Sequence, residues 1–69
     1  MIDYKTLLIH AIIGCGVNGG YDFCGTMTKR GLAYFSGNQW NEDWSWKREA
    51  LQELAVPELE TIYLTVKPK

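Results

Sequence analysis

Hydrophobic residues recur at helical spacing in the first fifteen positions of the chain. Leu8, Ile12 and Cys15 fall on one face of a helix. Asp3 precedes this segment, and its carboxylate can accept hydrogen bonds from the free N–H groups of a first helical turn. We therefore predict a helix from Asp3 to about Gly14, although the isoleucines of this segment are also compatible with a strand.

The same segment is apolar around much of its circumference. A helix of this kind needs cover on more than one side, and a chain of 69 residues has little other mass to supply that cover. We therefore predict that the first helix also mediates association, giving a homo-oligomer, specifically a homodimer, or a tight hetero-complex. The residues assigned to self-association are Leu8, Ile9, Ile12 and Ile13.

The region 21–36 admits two interpretations, a helix and a hairpin. Gly37 suits the position that follows a helix, so the favoured prediction is a helix from about Thr26 to Ser36. The alternative is a hairpin whose strands are Tyr21–Cys24 and Leu32–Phe35. Glycines inside the region weaken a long helix by roughly 1 kcal/mol each. They weaken strands as well, so both interpretations stay open.

Two further helices are predicted in the last third of the chain. From about Trp46 to Leu54, good helix formers accompany an apolar stripe. Pro57 ends that helix and suits the first turn of the next one. Leu59, Ile62 and Val66 follow i, i+3, i+7 spacing, which predicts a last helix ending near Val66.

These elements predict an all-α fold, a small domain of three to four helices with one structured, tryptophan-rich loop. The alternative is an α+β domain with a hairpin at 21–35. A chain of 69 residues makes a single domain, which we assign to residues 1–69. Domains this short bury only about 60% of their unfolded surface, so association commonly adds to their stability.

All three tryptophans, at positions 40, 44 and 46, lie in the predicted loop among polar side chains. Tryptophan carries a large apolar area and one N–H donor, so it needs a core, a partner or both. Three indoles within seven positions cannot all point the same way. We expect at least one to anchor the domain and one to face solvent, and we predict that Trp40 is the exposed one.

An exposed tryptophan beside amide side chains is typical of a protein-binding hot spot. The plainer interpretation is that the tryptophans only fasten the loop to the helices, and both remain open. The residues assigned to partner binding are Asn38, Gln39, Trp40, Asn41, Glu42 and Asp43.

The net charge of −1 disfavours nucleic acid as the main partner, because nucleic-acid binders usually carry a strong basic bias. Short basic spots are offset by nearby carboxylates. The alternative function that stays open is a nucleic-acid-associated regulator that uses its basic side chains around the tryptophans. Those side chains would be Lys29, Arg30, Lys47 and Arg48.

Candidate chemistry is sparse. His10 is the single histidine, and no nucleophile motif accompanies it. Cys15 and Cys24 lack the spacing of a zinc site. We predict no enzymatic activity, no metal and no cofactor. The apolar run near the start lacks the features of a signal peptide and is shorter than the roughly 20 residues of a membrane span. We therefore expect reduced thiols, a cytoplasmic location and no membrane partner.

The stretch from Arg30 to Trp44, RGLAYFSGNQWNEDW, is followed by two short predicted helices that end in LETIY. This second half of the chain resembles small uncharacterised proteins encoded by phages and prophages. The resemblance implies an accessory factor that binds and modulates a host or phage protein, and it transfers no catalytic residue. The predicted function is a non-enzymatic protein–protein interaction module, such as an inhibitor of a host defence protein in the host cytoplasm.

Overall fold

The computed structural model describes residues 3–68. Over this range the chain forms four helices and a two-stranded antiparallel sheet. The elements are α1 (Tyr4–Cys15), α2 (Tyr21–Lys29), β1 (Ala33–Phe35), β2 (Trp44–Trp46), α3 (Arg48–Gln52) and α4 (Val56–Val66). The all-α prediction is therefore wrong, and the mixed helix-and-hairpin architecture of the alternative is confirmed.

The hairpin lies further along the chain than the alternative placed it. β1 pairs with β2, and the paired residues are Ala33 with Trp46, Tyr34 with Ser45, and Phe35 with Trp44. The segment Tyr21–Cys24, predicted as a strand, instead begins α2. The favoured helix Thr26–Ser36 overlaps α2 only over residues 26–29, because α2 begins at Tyr21 and ends at Lys29, and β1 follows.

Gly31 is the residue that ends α2. Its φ is 78°, and its N–H donates to the carbonyl of Thr28 at 3.0 Å. The N–H of Leu32 donates to the carbonyl of Met27 at 2.9 Å. This pair of bonds is the common glycine-terminated helix end, and Leu32 and Met27 both join the core. The sequence interpretation assigned that role to Gly37, six positions too late.

The first helix begins where the sequence predicts. Asp3 is its N-cap, and the Oδ1 atom of Asp3 accepts a hydrogen bond from the N–H of Thr6 at 2.7 Å. The helix ends at Cys15, and Gly16 follows with a φ of 75°. The cap and the glycine together set both ends of α1.

Other elements of the same chain cover the apolar surface of α1. Leu8, Ile9 and Ile12 are buried in the core, and Ile13 packs against it partly buried. The most extensive helix packing joins α1 to α4, with a smaller contact to α3. The reason given for self-association through these four residues is therefore corrected, since α4 supplies the cover that a second copy was expected to supply.

The last helix confirms its prediction, with Leu59, Ile62 and Val66 buried along one stripe. The helix before it is shorter than expected, because Trp46 is paired in β2 and α3 begins only at Arg48. Every helix and both strands contribute to one hydrophobic core. No helix between residues 3 and 68 combines the length and the apolar character that crossing a bilayer requires.

The cap of α1 predicts a pH dependence of stability. Hydrogen bonds from Thr6 hold the pKa of the Asp3 carboxyl below its ordinary value of 3.8. A depressed pKa stabilises the fold above the unfolded value, and that contribution is lost as the pH falls through the folded value. We expect thermal melts to show a smaller loss of stability below pH 3.8 for Asp3→Asn, because asparagine caps helices without titrating. If the melting temperatures of the wild type and Asp3→Asn fall equally with pH below 3.8, this prediction is contradicted.

Candidate functional site

The loop between β1 and β2 is a continuation of the hairpin rather than an irregular connection. The N–H groups of Ser36 and Gly37 both donate to the carbonyl of Asp43, at 2.9 and 3.2 Å. The N–H of Asn38 donates to the carbonyl of Asn41 at 2.9 Å. The two chains are thus bonded past the ends of the strands, up to a four-residue turn. We call residues 38–43 the hairpin tip.

The side chain of Asn38 closes this turn. Its Oδ1 atom accepts hydrogen bonds from the N–H groups of Trp40 and Asn41, each at 2.9 Å. Asparagine favours turns because its short side chain can bond the backbone two or three residues on. The backbone of Trp40 is therefore held in place although its side chain extends into solvent.

Gly37 lies where the two sides of the hairpin approach most closely. A Cβ atom at this position would overlap the carbonyl oxygen of Asn41 and lie 2.6 Å from the backbone nitrogen of Asp43. Both neighbours are backbone atoms, so no side-chain rotation can relieve the overlap. The position requires glycine for space, which is a different role from the helix end predicted for it.

The three tryptophans differ sharply in burial. Trp46 is 6% exposed, Trp44 is half-buried, and Trp40 is 80% exposed. The prediction that Trp40 faces solvent while another tryptophan anchors the domain is confirmed. Partner binding by Trp40 stays a prediction.

Trp46 joins the hairpin to the helical part of the domain. Its indole N–H donates to the carbonyl of Gly16 at 2.9 Å, just beyond the end of α1. Its ring makes an edge contact with Phe23 of α2, with 6.1 Å between ring centroids. The one polar atom of the buried indole is therefore satisfied, as buried polar atoms in folded proteins usually are.

Trp44 is the centre of a second aromatic group, which we call the aromatic cluster: Tyr21, Phe35 and Trp44. Its ring meets those of Tyr21 and Phe35 edge-on, with centroids 5.8 and 5.4 Å apart. Tyr21 is 70% exposed and Phe35 is 50% exposed. Sequence reasoning missed both residues as surface features, because it assigned them to other elements. Contacts between residues distant in sequence, such as Tyr21 with Trp44, leave no local signal in the sequence.

The six residues assigned to partner binding are all exposed, and they lie together at the hairpin tip. They do not have one role. Asn38 bonds the turn, and Oδ1 of Asp43 accepts from the N–H of Trp44 at 2.9 Å. These two side chains therefore position the tip. Trp40 supplies its large apolar surface.

The residues assigned to self-association lie in a different part of the molecule and are largely inaccessible to a second copy. The exposed large apolar side chains of α1 and α4 are Tyr4, Leu7 and Leu64. Tyr4 donates a hydrogen bond from its hydroxyl to Glu60 of α4 at 2.8 Å. Oligomerisation stays a prediction. The apolar face of α1 that motivated it is buried within the chain.

The residues weighed for catalysis or metal binding are dispersed. Nε2 of His10 lies 3.3 Å from a guanidinium nitrogen of Arg48. Cys15 and Cys24 are free, and the Cys24 thiol donates to the carbonyl of Val17 at 3.2 Å. Burial raises the pKa of that thiol, which disfavours the reactive thiolate. No group of three or more histidine, cysteine or acidic side chains within residues 3–68 is placed to hold a metal ion.

Comparison of the chain with protein-family models, curated proteins and solved structures gives no match. The function of the hairpin tip is therefore argued from its own residues and geometry.

Gly37→Ala tests whether the hairpin tip is a built structure. We expect this change to destabilise the protein by more than about 1 kcal/mol, because the new methyl group would displace backbone atoms. The matched control is Gly25→Ala in α2, where an added Cβ meets nothing within 4 Å. The control should stabilise the protein by about 0.5–1 kcal/mol. Equal effects of the two changes on chemical denaturation would contradict the packing described for Gly37.

The two thiols are expected to be dispensable for folding. Cys15→Ala with Cys24→Ala should still give a cooperatively unfolding protein, since replacing a buried thiol leaves only a small cavity. Most of the loss should come from Cys24, which is the more buried of the two. Circular dichroism during thermal unfolding measures the effect. Stoichiometric zinc in the purified wild-type protein, or its unfolding by a chelator, would contradict this prediction.

Proposed function

We propose that this protein is a non-enzymatic interaction module that binds a protein partner through its hairpin tip, with Trp40 as the central contact. The observation that carries the proposal is an indole that is 80% exposed on a turn whose backbone is fixed by hydrogen bonds. Tryptophan is among the residues most enriched at the energetic centres of protein interfaces. Binding is stoichiometric and needs no reaction.

The fixed backbone of the tip favours tight binding. Ordering a loop at an interface opposes association, so a loop that is already ordered binds with less loss of entropy. Asn38 supplies this order by accepting two N–H bonds, and Gly37 allows the close approach of the two chain segments. Trp40 itself has few rotatable bonds, so little side-chain freedom is lost when it enters a pocket.

The aromatic cluster extends the surface from the tip along the hairpin. Phe35 and Trp44 form the strand pair next to the loop, and the ring of Tyr21, in α2, packs edge-on against that of Trp44. Exposed aromatic surface next to an exposed indole makes a larger apolar area than Trp40 alone. Exposed apolar surface bordered by polar residues is typical of protein-binding sites.

The charges of the tip indicate what kind of partner surface would be complementary to it. Glu42 and Asp43 follow Trp40 in the tip and are exposed carboxylates, and Asn38, Gln39 and Asn41 are exposed amides. A complementary partner therefore offers an apolar pocket for the indole with basic and hydrogen-bonding groups at its rim. Complementary rim charges mainly raise the rate of association.

The resemblance of residues 30–63 to small phage and prophage proteins supports a more specific proposal. In that setting the partner is a host protein, such as a defence component, which the module inhibits or modulates in the host cytoplasm. Small size and action by docking fit that role. The surroundings of His10 also fit a non-enzymatic function, because its Nε2 lies beside the guanidinium of Arg48, a group that does not act as a nucleophile.

A nucleic-acid-associated role is the weaker alternative. Of the basic side chains it would use, Arg30 is ion-paired with Glu58, and the loop that carries Trp40 is acidic. A salt series separates the two functions. Binding to duplex DNA would weaken with a logarithmic slope of about −0.9 per phosphate contact, whereas a protein interface centred on an indole would be much less sensitive to salt.

The test compares three variants in affinity capture from host lysate, followed by titration of the captured partner. Trp40→Ala should leave the unfolding transition nearly unchanged and weaken binding by about 2 kcal/mol or more. The matched control is Tyr34→Ala, which removes an exposed aromatic ring. Tyr34 lies on the face of the hairpin opposite to Phe35 and Trp44, so this change should leave binding intact.

Trp46→Ala completes the set, and it should cost about 3–5 kcal/mol of stability because the buried indole is lost. The proposal is rejected if Trp40→Ala binds the captured partner as tightly as the wild type. It is also rejected if Trp40→Ala unfolds the protein, because the exposed indole would then have a structural role.

A further inference from the structure

A pocket of about 140 Å³ opens between the beginning of α1 and α3, on elements other than the hairpin. Three basic side chains line it, together with one carboxylate and the side chains of Thr6 and Gln52. The polar lining residues are Asp3, Lys5, Thr6, His10, Arg48 and Gln52. Ile9 forms part of the pocket wall and belongs to the core.

The two cationic side chains of this pocket, Lys5 and Arg48, bond to groups other than carboxylates. Nζ of Lys5 donates to the backbone carbonyl of Gln52 at 2.7 Å, and the Arg48 guanidinium lies 3.3 Å from Nε2 of His10. The ion pair found within residues 3–68 lies elsewhere and joins Arg30 to Glu58. Lys5 and Arg48 therefore line one pocket, and the carboxylate that interacts with Lys5 there is that of Asp3.

The acidic residue of the pocket is already engaged. Asp3 accepts the N–H of Thr6 as the cap of α1, and it contributes one negative charge against the two cations. The pocket also lies at the first turn of α1, where the helix dipole favours negative charge. Counting Lys5 and Arg48 against Asp3, two positive charges minus one negative, the lining carries a net charge of +1.

We propose that this pocket binds a small free oxyanion of the phosphate class. Lys5 and Arg48 supply charged donors, and the Thr6 hydroxyl supplies a neutral one. Charge-assisted hydrogen bonds to phosphate are the strong ones, and the planar guanidinium matches the oxyanion geometry. A cavity of about 150 Å³ holds a molecule the size of benzene, so 140 Å³ admits one phosphate group. This volume lies below the roughly 300–1,000 Å³ of sites that enclose drug-sized ligands, so a single phosphate group is the better match.

The competing explanation is that Lys5 and Arg48 only fasten α3 to α1. Both explanations predict some loss of stability when either side chain is removed, so stability alone does not separate them. A saturable response to phosphate does, because a purely structural contact has no binding site to saturate.

The experiment is a two-dimensional NMR titration of the full chain with inorganic phosphate, at constant ionic strength maintained with chloride. We expect saturable shifts of the Thr6 and Arg48 amides and of the His10 ring, with no matching response to chloride alone. Shifts that grow linearly, or that are as large around Glu58 as around Thr6, overturn the proposal.

Two variants locate the site. Arg48→Gln should raise the dissociation constant for phosphate about tenfold or more, because one charge-assisted donor is lost. Arg30→Gln is the matched control and should bind like the wild type. Equal affinity in both variants overturns the proposal. If Arg48→Gln does not fold, Lys5→Gln replaces it, with the same expected weakening and the same control.

Discussion

The indole of Trp46 is the contact on which the position of the hairpin depends. Strands of three residues are too short to be stable by themselves, so this hairpin must be held by the helices. Trp46 does this at the inner end of the ladder, opposite the buried Ala33, with its N–H bonded to Gly16 and its ring against Phe23. Removing the indole would leave the carbonyl of Gly16 without this donor and the hairpin without its main apolar contact. The direction in which the tip extends is therefore set by a residue that is itself almost inaccessible.

The geometry of a hairpin explains why three nearby tryptophans differ so much in exposure. Side chains two positions apart on a strand share a face, which places Trp44 and Trp46 on the same side of β2. Trp46 lies at the end nearest the core, whereas Trp44 lies two pairs further out, where its ring contacts those of Tyr21 and Phe35. Trp40 lies beyond the last bonded pair, in the turn, where no layer of the domain extends. The exposure of Trp40 therefore follows from the length of the loop and from the way the Asn38 side chain closes the turn.

The sequence predicted the elements whose signals are local. The cap at Asp3 and the spacing of Leu59, Ile62 and Val66 located α1 and α4 correctly. A glycine also marks the end of α2, but the sequence offers both Gly31 and Gly37 for that position. The structure shows that Gly31 adopts the left-handed φ that ends the helix, and that Gly37 does not. Three-residue strands are too short for a clear alternation of polar and apolar positions. The aromatic cluster and the oxyanion pocket depend on contacts distant in sequence, such as Tyr21 with Trp44 and Lys5 with Gln52, which periodicity does not predict.

The two proposed sites meet at a single junction of the chain. β2 ends at Trp46 and α3 begins at Arg48, so the strand that supports the tip leads into the helix that supports the pocket. The residue between them is fixed, because the N–H of Lys47 donates to the carbonyl of Leu32 at 2.8 Å. Coupling between two sites requires an element with two alternative arrangements that each ligand favours differently. Close packing of Trp46 and this backbone bond oppose a second arrangement at the junction. Occupation of the pocket is therefore expected to leave the affinity of the hairpin tip unchanged, and the two surfaces act as independent sites on one rigid support.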